Sequence, residues 1–281
     1  MDRLSRVVYI NLEHRTDRRQ EMEGELKNKF KYDKAERLEA YLTPGAPCPT
    51  WAAAGCTLNH ARIWRRMIKE GWQSVMIMED DASLLVSREE FDGHINAFLD
   101  DEQADMLHFS NSADQFDAYP SRDTHFPPVN RGIPGDCQHL SDTLENPKCL
   151  CRTGKRHNGI PFYTPRFLRV RNVYGAACYI LKRKMVFDLI EQYFSPLLRG
   201  AIEGEEEDIW TLKETDDNFP HRIGFIDQTW NRLINEQGPD SVFKQKRTYN
   251  FLIPNVPSYS RVVVQRPSYS DVCGKNVDYK I

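Results

Sequence analysis

The chain has 281 residues, 40% of them hydrophobic, enough for one large α/β domain spanning 1–281 with its own core. A formal net charge of −3 excludes a basic duplex-binding surface, and no apolar run approaches the ~20 residues that span a bilayer. The opening stretch, MDRLSRVVYINL, is short in apolar residues and soon followed by charge, so it reads as a core strand rather than a secretory signal. The chain is therefore expected in the cytosol unless a partner carries it elsewhere, and peripheral membrane association is compatible with this.

Residues 7–12 form the first expected strand, β-branched and aromatic with almost no polar alternation. Thr16 and Asp17 offer N-caps for a helix whose inward face is Met22, Leu26 and Phe30. The Pro-rich stretch at 43–49 breaks the pattern, and Thr57 is then read as the cap of a second helix. Its stripe is Ile63, Trp64, Met67 and Ile68, and Gly71 ends it. Val75–Met78 reads as a central strand. Ser87 and Glu90 form a capping-box pair for a third helix that turns Phe91, Ile95 and Phe98 inward. Met106–Phe109 is a further short strand.

Residues 111–168, rich in Pro, Gly, Asp, Ser and His, are read as a long insertion over a binding face. Val170–Leu181 is expected to run from a strand into a helix near Lys184–Phe194. Ile223–Ile226 reads as a strand, with Asp227 capping the helix that carries Trp230, Leu233 and Ile234. Two apolar runs, FLIP and RVVV, lie in the tail. Alternating strands and helices point to an α/β fold with a parallel sheet covered on both faces.

Seven cysteines, an odd number in a long chain, argue against a disulfide scaffold. Cys137, Cys149 and Cys151, with His139 and His157 nearby, are either a zinc site or loop thiols with no ligand role.

The segment with most chemical content is VMIMEDDA, residues 75–82, where an apolar strand ends in Glu79, Asp80 and Asp81. In open α/β sheets ligands sit beyond the carboxyl ends of strands. Adjacent carboxylates there repel each other, and a divalent cation such as Mg²⁺ or Mn²⁺ relieves the repulsion while holding substrate phosphates. Alternation of an extended chain would let Glu79 and Asp81 face one ligand. The competing reading is a solvated acidic turn. Around this segment, Asn11 and Leu12 end the first strand, and Arg15 and Arg18 on the following turn suit a nucleotide and its phosphates, or else a solvated helix face. Asn59 and His60 are placed in the first turn of the second helix. Asp227 is a helix cap or a general base, and Gln265–Asp271 is a late polar segment. Tyr174 and Gly175 line a sugar pocket or pack within a strand.

Together, Tyr9–Arg19, Gly55–Trp64, Val75–Ala82, Asp227 and Gln265–Asp271 resemble glycosyltransferase family 25, which includes bacterial lipooligosaccharide galactosyltransferases and collagen hydroxylysine galactosyltransferases. The opening segment is similar to the family's I-N-L-x-x-R-x-D-R-R. The second is similar to G-C-x-L-S-H, with Asn59 in place of the serine, and the third is the E-D-D itself. The resemblance implies a GT-A type Rossmann-like sheet, a UDP-hexose donor (galactose or glucose), Mn²⁺ or Mg²⁺, and inversion at the anomeric carbon. Acceptors would be glycans or glycoproteins, with no nucleic acid involved. On this reading Asp81 and Glu79 hold the metal, and Asn11, Leu12, Arg15, Arg18, Asn59, His60, Glu79 and Asp80 surround the donor. Asp227 is the base, with Asp271 second and Glu207 or Asp208 behind. A non-catalytic nucleotide-sugar binder and a metal-dependent phosphotransferase or nuclease are the alternatives.

Overall fold

The computed structural model describes residues 1–41, 49–110, 117–118, 162–172, 175–190, 226, 230, 249–254, 262–266, 268–270 and 275–277. In chain order the first elements are β1 (Arg6–Leu12), α1 (Thr16–Asn28), β2 (Glu36–Ala40), α2 (Pro49–Lys69), β3 (Ser74–Glu79), β4 (Ala82–Leu84), α3 (Arg88–Asp100) and β5 (Met106–His108). There follow β6 (Asp117–Ala118), β7 (Phe162–Thr164), β8 (Phe167–Asn172), β9 (Cys178–Lys182) and α4 (Arg183–Leu189). The last are β10 (Phe251–Pro254), β11 (Val263–Gln265), β12 (Ser268–Ser270) and β13 (Lys275–Val277).

Among the described residues, nine strands form the central sheet in the order β2-β1-β3-β9-β5-β10-β8-β6, with β7 attached to β8. Period-2 alternation divides its side chains between two cores. Val8, Ile10, Val75, Ile77, Tyr179 and Leu181 face α2 and α4, packing with Trp64, Met67, Met185 and Leu189. Val7, Tyr9, Met76, Met78, Cys178 and Ile180 face α1 and α3, packing with Met22, Leu26, Phe91, Ile95 and Phe98. Helices thus cover both faces, as alternating strands and helices require.

The sheet is mixed rather than parallel. β1 runs parallel to β2 and β3, and β10 parallel to β5, but β9 is antiparallel to both β3 and β5. Val170–Leu181 is not one strand leading into a helix but two, β8 and β9, on different parts of the sheet. The expected insertion is also shorter than 111–168 at its end. Phe162–Thr164 and Phe167–Leu168 already belong to β7 and β8, and β8 pairs antiparallel with β10. Ile226 is helical, so the strand read over Ile223–Ile226 does not extend to it; 223–225 lie outside the described residues.

Local signals explain several boundaries. α1 starts at Thr16 with Arg15 in the capping position and no side-chain cap, so neither Thr16 nor Asp17 caps it. α2 opens at Pro49, where a missing N–H matters least, and not after Thr57. Thr57 lies inside the helix and its hydroxyl donates back to the Ala53 carbonyl at 3.1 Å. Trp72 N donates to Met67 O (3.0 Å) and Gly71 N to Ile68 O (3.3 Å), a Schellman closure in which Gly71 takes φ +75. Ser87 caps α3 as expected, its side chain accepting from Glu90 N at 3.1 Å.

Candidate active site

Because β1 and β3 are parallel, with Ile10 opposite Glu79, the ends of both strands open onto one rim of the sheet. β9, antiparallel to β3, begins at that rim, and Glu79 N donates to Ala177 O at 2.9 Å. The chain turns immediately after β3, at Asp80 and Asp81, and continues into β4.

Asp80 and Asp81 belong with α1. The Asp80 carboxylate accepts from Asn11 Nδ2 and from Arg18 Nη1, each at 2.8 Å, and Arg18 Nη1 lies 3.5 Å from Asp81 Oδ2. All four residues are buried or nearly so, and no hydrogen-bond partner reaches Asp81 Oδ1 among the described residues. Burial and the neighbouring charge of Glu79 push the Asp81 carboxyl up to about 7, against the pull of Arg18. Asp80 is raised too, by burial above all, although Arg18 and Asn11 favour its charged form.

The late segment reaches this turn. β11 pairs antiparallel with β4, setting Gln265 opposite Ala82. Arg266 N donates to Asp81 O at 2.8 Å, and Arg266 Nη2 donates to Asp80 O at 2.7 Å. Gln265 Nε2 donates to Glu79 Oε2 at 2.9 Å.

Glu79 faces the other way, toward α2. β3 ends at Glu79, so the alternation that would align it with Asp81 stops one residue too soon. Glu79 Oε1 lies 3.6 Å from Cys56 Sγ and 3.7 Å from His60 Nε2, the latter an electrostatic contact rather than a hydrogen bond. Burial alone would raise this carboxyl; His60, Cys56 and Arg18 more than offset it and hold it below its ordinary value. His60 Nδ1 meets Tyr179 Oη at 2.6 Å. A wall of rings continues from there. His108 stacks on Tyr179 with centroids 6.4 Å apart, Trp230 meets both rings edge-on, and His108 Nε2 donates to Gly175 O at 2.8 Å. Burial depresses His108 to about 4, so its ring is neutral. Gly175 takes φ +81, which disfavours any side chain there.

Asn59 and His60 sit in the middle of α2 rather than in its first turn. Asn59 is a brace: Nδ2 donates to Tyr41 O and Gly55 O, and Oδ1 accepts from Tyr41 N and Arg62 Nη1. Arg15 forms a two-pronged contact with Asp17, at 3.0 and 2.9 Å, that holds the Asp17 carboxyl down at about 2. The structure therefore gathers Asn11, Arg18, His60, Glu79, Asp80 and Asp81 at one rim. Asp227, Asp271, Tyr174, Glu207, Asp208 and the Cys137–Cys149–Cys151 group lie outside the described residues. Cys56, Tyr179, Gln265 and Arg266 emerge as site residues. The first carries one sequence signal, a four-residue spacing to His60, which counts only once both residues are placed on one helix.

The sequence model described as "Glycosyltransferase family 25 (LPS biosynthesis protein)" matches residues 50–198, more than half of the chain. The chain belongs to glycosyltransferase family 25. The matched range of this family 25 chain contains α2 from its second residue on, β3 and the Glu79–Asp81 run, whereas β1 and β11 lie outside it. Two curated relatives, both called "Glycosyltransferase 25 family member", align over 98 residues. One, from Anopheles gambiae, is 36% identical, the match covering 28% of this chain and 17% of the relative. The other, from Drosophila pseudoobscura pseudoobscura, is 31% identical, covering 28% and 16%. The chain thus spans well under two thirds of the length of either relative. Similar solved structures include the apo form of mouse xyloside xylosyltransferase 1, at 12% identity and TM-score 0.31 over 80% of this chain and 67% of that one. Mannose-1-phosphate geranyltransferase from Thermus thermophilus aligns at 11% identity and TM-score 0.36, over 88% and 58%. No helix among the described residues is long and apolar enough to cross a membrane.

Proposed function

We propose that this chain is an inverting hexosyltransferase of GT-A type. It moves galactose or glucose from a UDP-sugar to a hydroxyl of a glycan or hydroxylysine-bearing protein, with Mn²⁺ or Mg²⁺ at Asp81. The observation that supports this best is the buried, unpartnered Asp81 Oδ1 on the turn after the central strand of a family 25 chain. A carboxyl raised to about 7 by burial and neighbouring acids gains from an added cation, so the residues present fit the metal. Since the Glu79 carboxylate touches Cys56 and His60, Asp81 is the principal ligand in this reading, with the charge of Glu79 close enough to act on it.

Asp81 would hold the cation, which when bound neutralises charge developing on the diphosphate leaving group. Arg18 orients both aspartates and brings a fixed positive charge to the same rim, where a guanidinium fork suits phosphate oxygens. Asn11, held by Arg37 Nε (3.0 Å) on its Oδ1, fixes the other oxygen of Asp80. Inversion needs one base to take the proton of the acceptor hydroxyl as that oxygen attacks the anomeric carbon and the bond to the diphosphate breaks. Asp227 is assigned this role, with Asp271 second.

The test is a panel of nucleotide sugars and unsugared nucleotides, assayed for hydrolysis and transfer with and without Mn²⁺. Metal-dependent turnover of a UDP-hexose is expected, and Asp81→Ala should lose at least about 100-fold while still unfolding in one cooperative transition. Unaltered turnover by that variant removes the metal assignment. Turnover of unsugared nucleotides alone would favour a phosphotransferase instead.

A further inference from the structure

Cys56, His60 and Glu79 converge on one point that the transfer reading does not use. Cys56 and His60 stand four residues apart on the sheet-facing side of α2, and Glu79 closes the triangle from the end of β3. The three potential ligand atoms lie within 4.8 Å of one another, with Glu79 Oε1 at 3.6 Å from Cys56 Sγ and 3.7 Å from His60 Nε2.

These spacings suit a tetrahedral ion. Bonds of about 2.3 Å to sulfur and about 2.0 Å to nitrogen and oxygen, at tetrahedral angles, put ligand atoms about 3.5 Å (S to O) and about 3.3 Å (N to O) apart. The two edges that meet at Glu79 are within a few tenths of an ångström of these values, and the Cys56–His60 edge, within 4.8 Å, closes toward about 3.5 Å by side-chain rotation. The histidine is already set for the task. Its ring is fully buried, and Nε2 has no hydrogen-bond partner among the described residues. Its Nδ1 lies 2.6 Å from Tyr179 Oη; in the tautomer with the proton on Nδ1, the phenol accepts from Nδ1–H and the Nε2 lone pair is open to a cation beside Cys56 and Glu79. Glu79 is oriented in the same way by Gln265 Nε2 on its other oxygen. An imidazole nitrogen buried without a partner is costly unless something completes it.

We propose that Cys56, His60 and Glu79 form a second cation site, selective for a thiophilic divalent ion of the zinc class and separate from the Asp81 site. Thiolate and imidazole favour zinc over manganese or magnesium, which prefer all-oxygen shells. Three protein ligands leave a fourth position for water or a substrate oxygen, the pattern of reactive rather than closed structural zinc sites. Loading releases the thiol proton to solvent, and no electron is exchanged. The site does not rest on the donor reading, because it uses different ligands and a different ion.

The probe is Co²⁺ added to the chelator-stripped full chain, followed by displacement with Zn²⁺. The expected result is a near-ultraviolet thiolate-to-cobalt charge-transfer band with visible bands of tetrahedral intensity, lost on Cys56→Ser. Glu79→Gln should bind at least roughly ten-fold more weakly. Asp81→Ala should retain the full band even as its Mn²⁺-dependent turnover falls, which separates the two sites. Replacing buried His60 endangers the fold, so Cys56→Ser and Glu79→Gln carry the test, each matched to the unsubstituted chain by circular dichroism. A cobalt band of undiminished intensity in folded Cys56→Ser, or no such band in the unsubstituted chain, overturns the proposal.

Discussion

Arg18 sets one guanidinium nitrogen within 4 Å of both turn aspartates, and replacing it gives the sharpest test of this geometry. Arg18→Met keeps most of the apolar stem and removes the charge. Its side chain is 11% exposed and those of Asp80 and Asp81 are 8% and 5%, so the pairs at 2.8 and 3.5 Å are not surface pairs screened by water. Breaking a buried pair by removing one partner costs about 3–5 kcal/mol, because the orphaned charges stay buried. At about 2–4 °C per kcal/mol, the melting temperature should fall by roughly 6–20 °C. The penalty depends on the acids being ionised. It should be largest near about pH 8 and shrink as pH falls through about 7, where Asp81 takes up its proton. Mn²⁺ should stabilise the variant more than the unsubstituted chain, since a cation at Asp81 replaces the missing positive charge. Arg18→Lys should recover only part of the loss, lacking the planar fork. Urea titrations at about pH 8 and about pH 5, with and without metal, measure all of this. A loss below about 1 kcal/mol at the higher pH is what an exposed pair would give, and it would refute the reasoning.

The Asp81 carboxyl, raised to about 7 when folded, contributes stability that is fully present below its ordinary unfolded range and is lost as pH rises through about 7. Metal-free protein should therefore melt lower at about pH 8 than at about pH 5.5, and Asp81→Asn should flatten that slope in differential scanning calorimetry. Mn²⁺ affinity should weaken as pH falls below about 7, with uptake releasing one proton, which isothermal titration in buffers of different ionisation enthalpy will count. Asn59→Ala removes the brace between Tyr41 and α2 and should cost about 1–3 kcal/mol in urea. Its turnover per folded molecule should stay within about two-fold, and a loss as deep as that of Asp81→Ala would return Asn59 to the donor site.

Much of this frame was readable from side-chain periodicity. Met22–Leu26–Phe30 and Phe91–Ile95–Phe98 are buried as their spacing requires, and the acids follow the central strand. Strand direction was not readable, because alternation along β9 is the same whichever way it runs; its antiparallel placement depends on β3 and β5, far away in sequence. The start of α2 was hidden for a local reason. Ala52, Ala53 and Ala54 are strong helix formers without an amphipathic stripe, so Thr57 looked like a cap. That single misplacement put Asn59 and His60 in a first turn and concealed the alignment of Cys56 with His60. The division of Glu79 from Asp80 and Asp81 was equally invisible, since it turns on where β3 stops rather than on which residues follow it.

The short β11–β4 ladder has a consequence for how the protein is made. Gln265 reaches Glu79 across 186 residues, and Arg266 bonds the backbone of the same turn. During synthesis the acidic turn must wait until that distant strand emerges and docks, so its two backbone carbonyls go unclamped until late. A nascent or truncated product ending before residue 262 would have the carboxylates without their clamp. A chain cut there should lack the fixed backbone geometry that β11 and Arg266 impose on Asp80, Asp81 and Ala82.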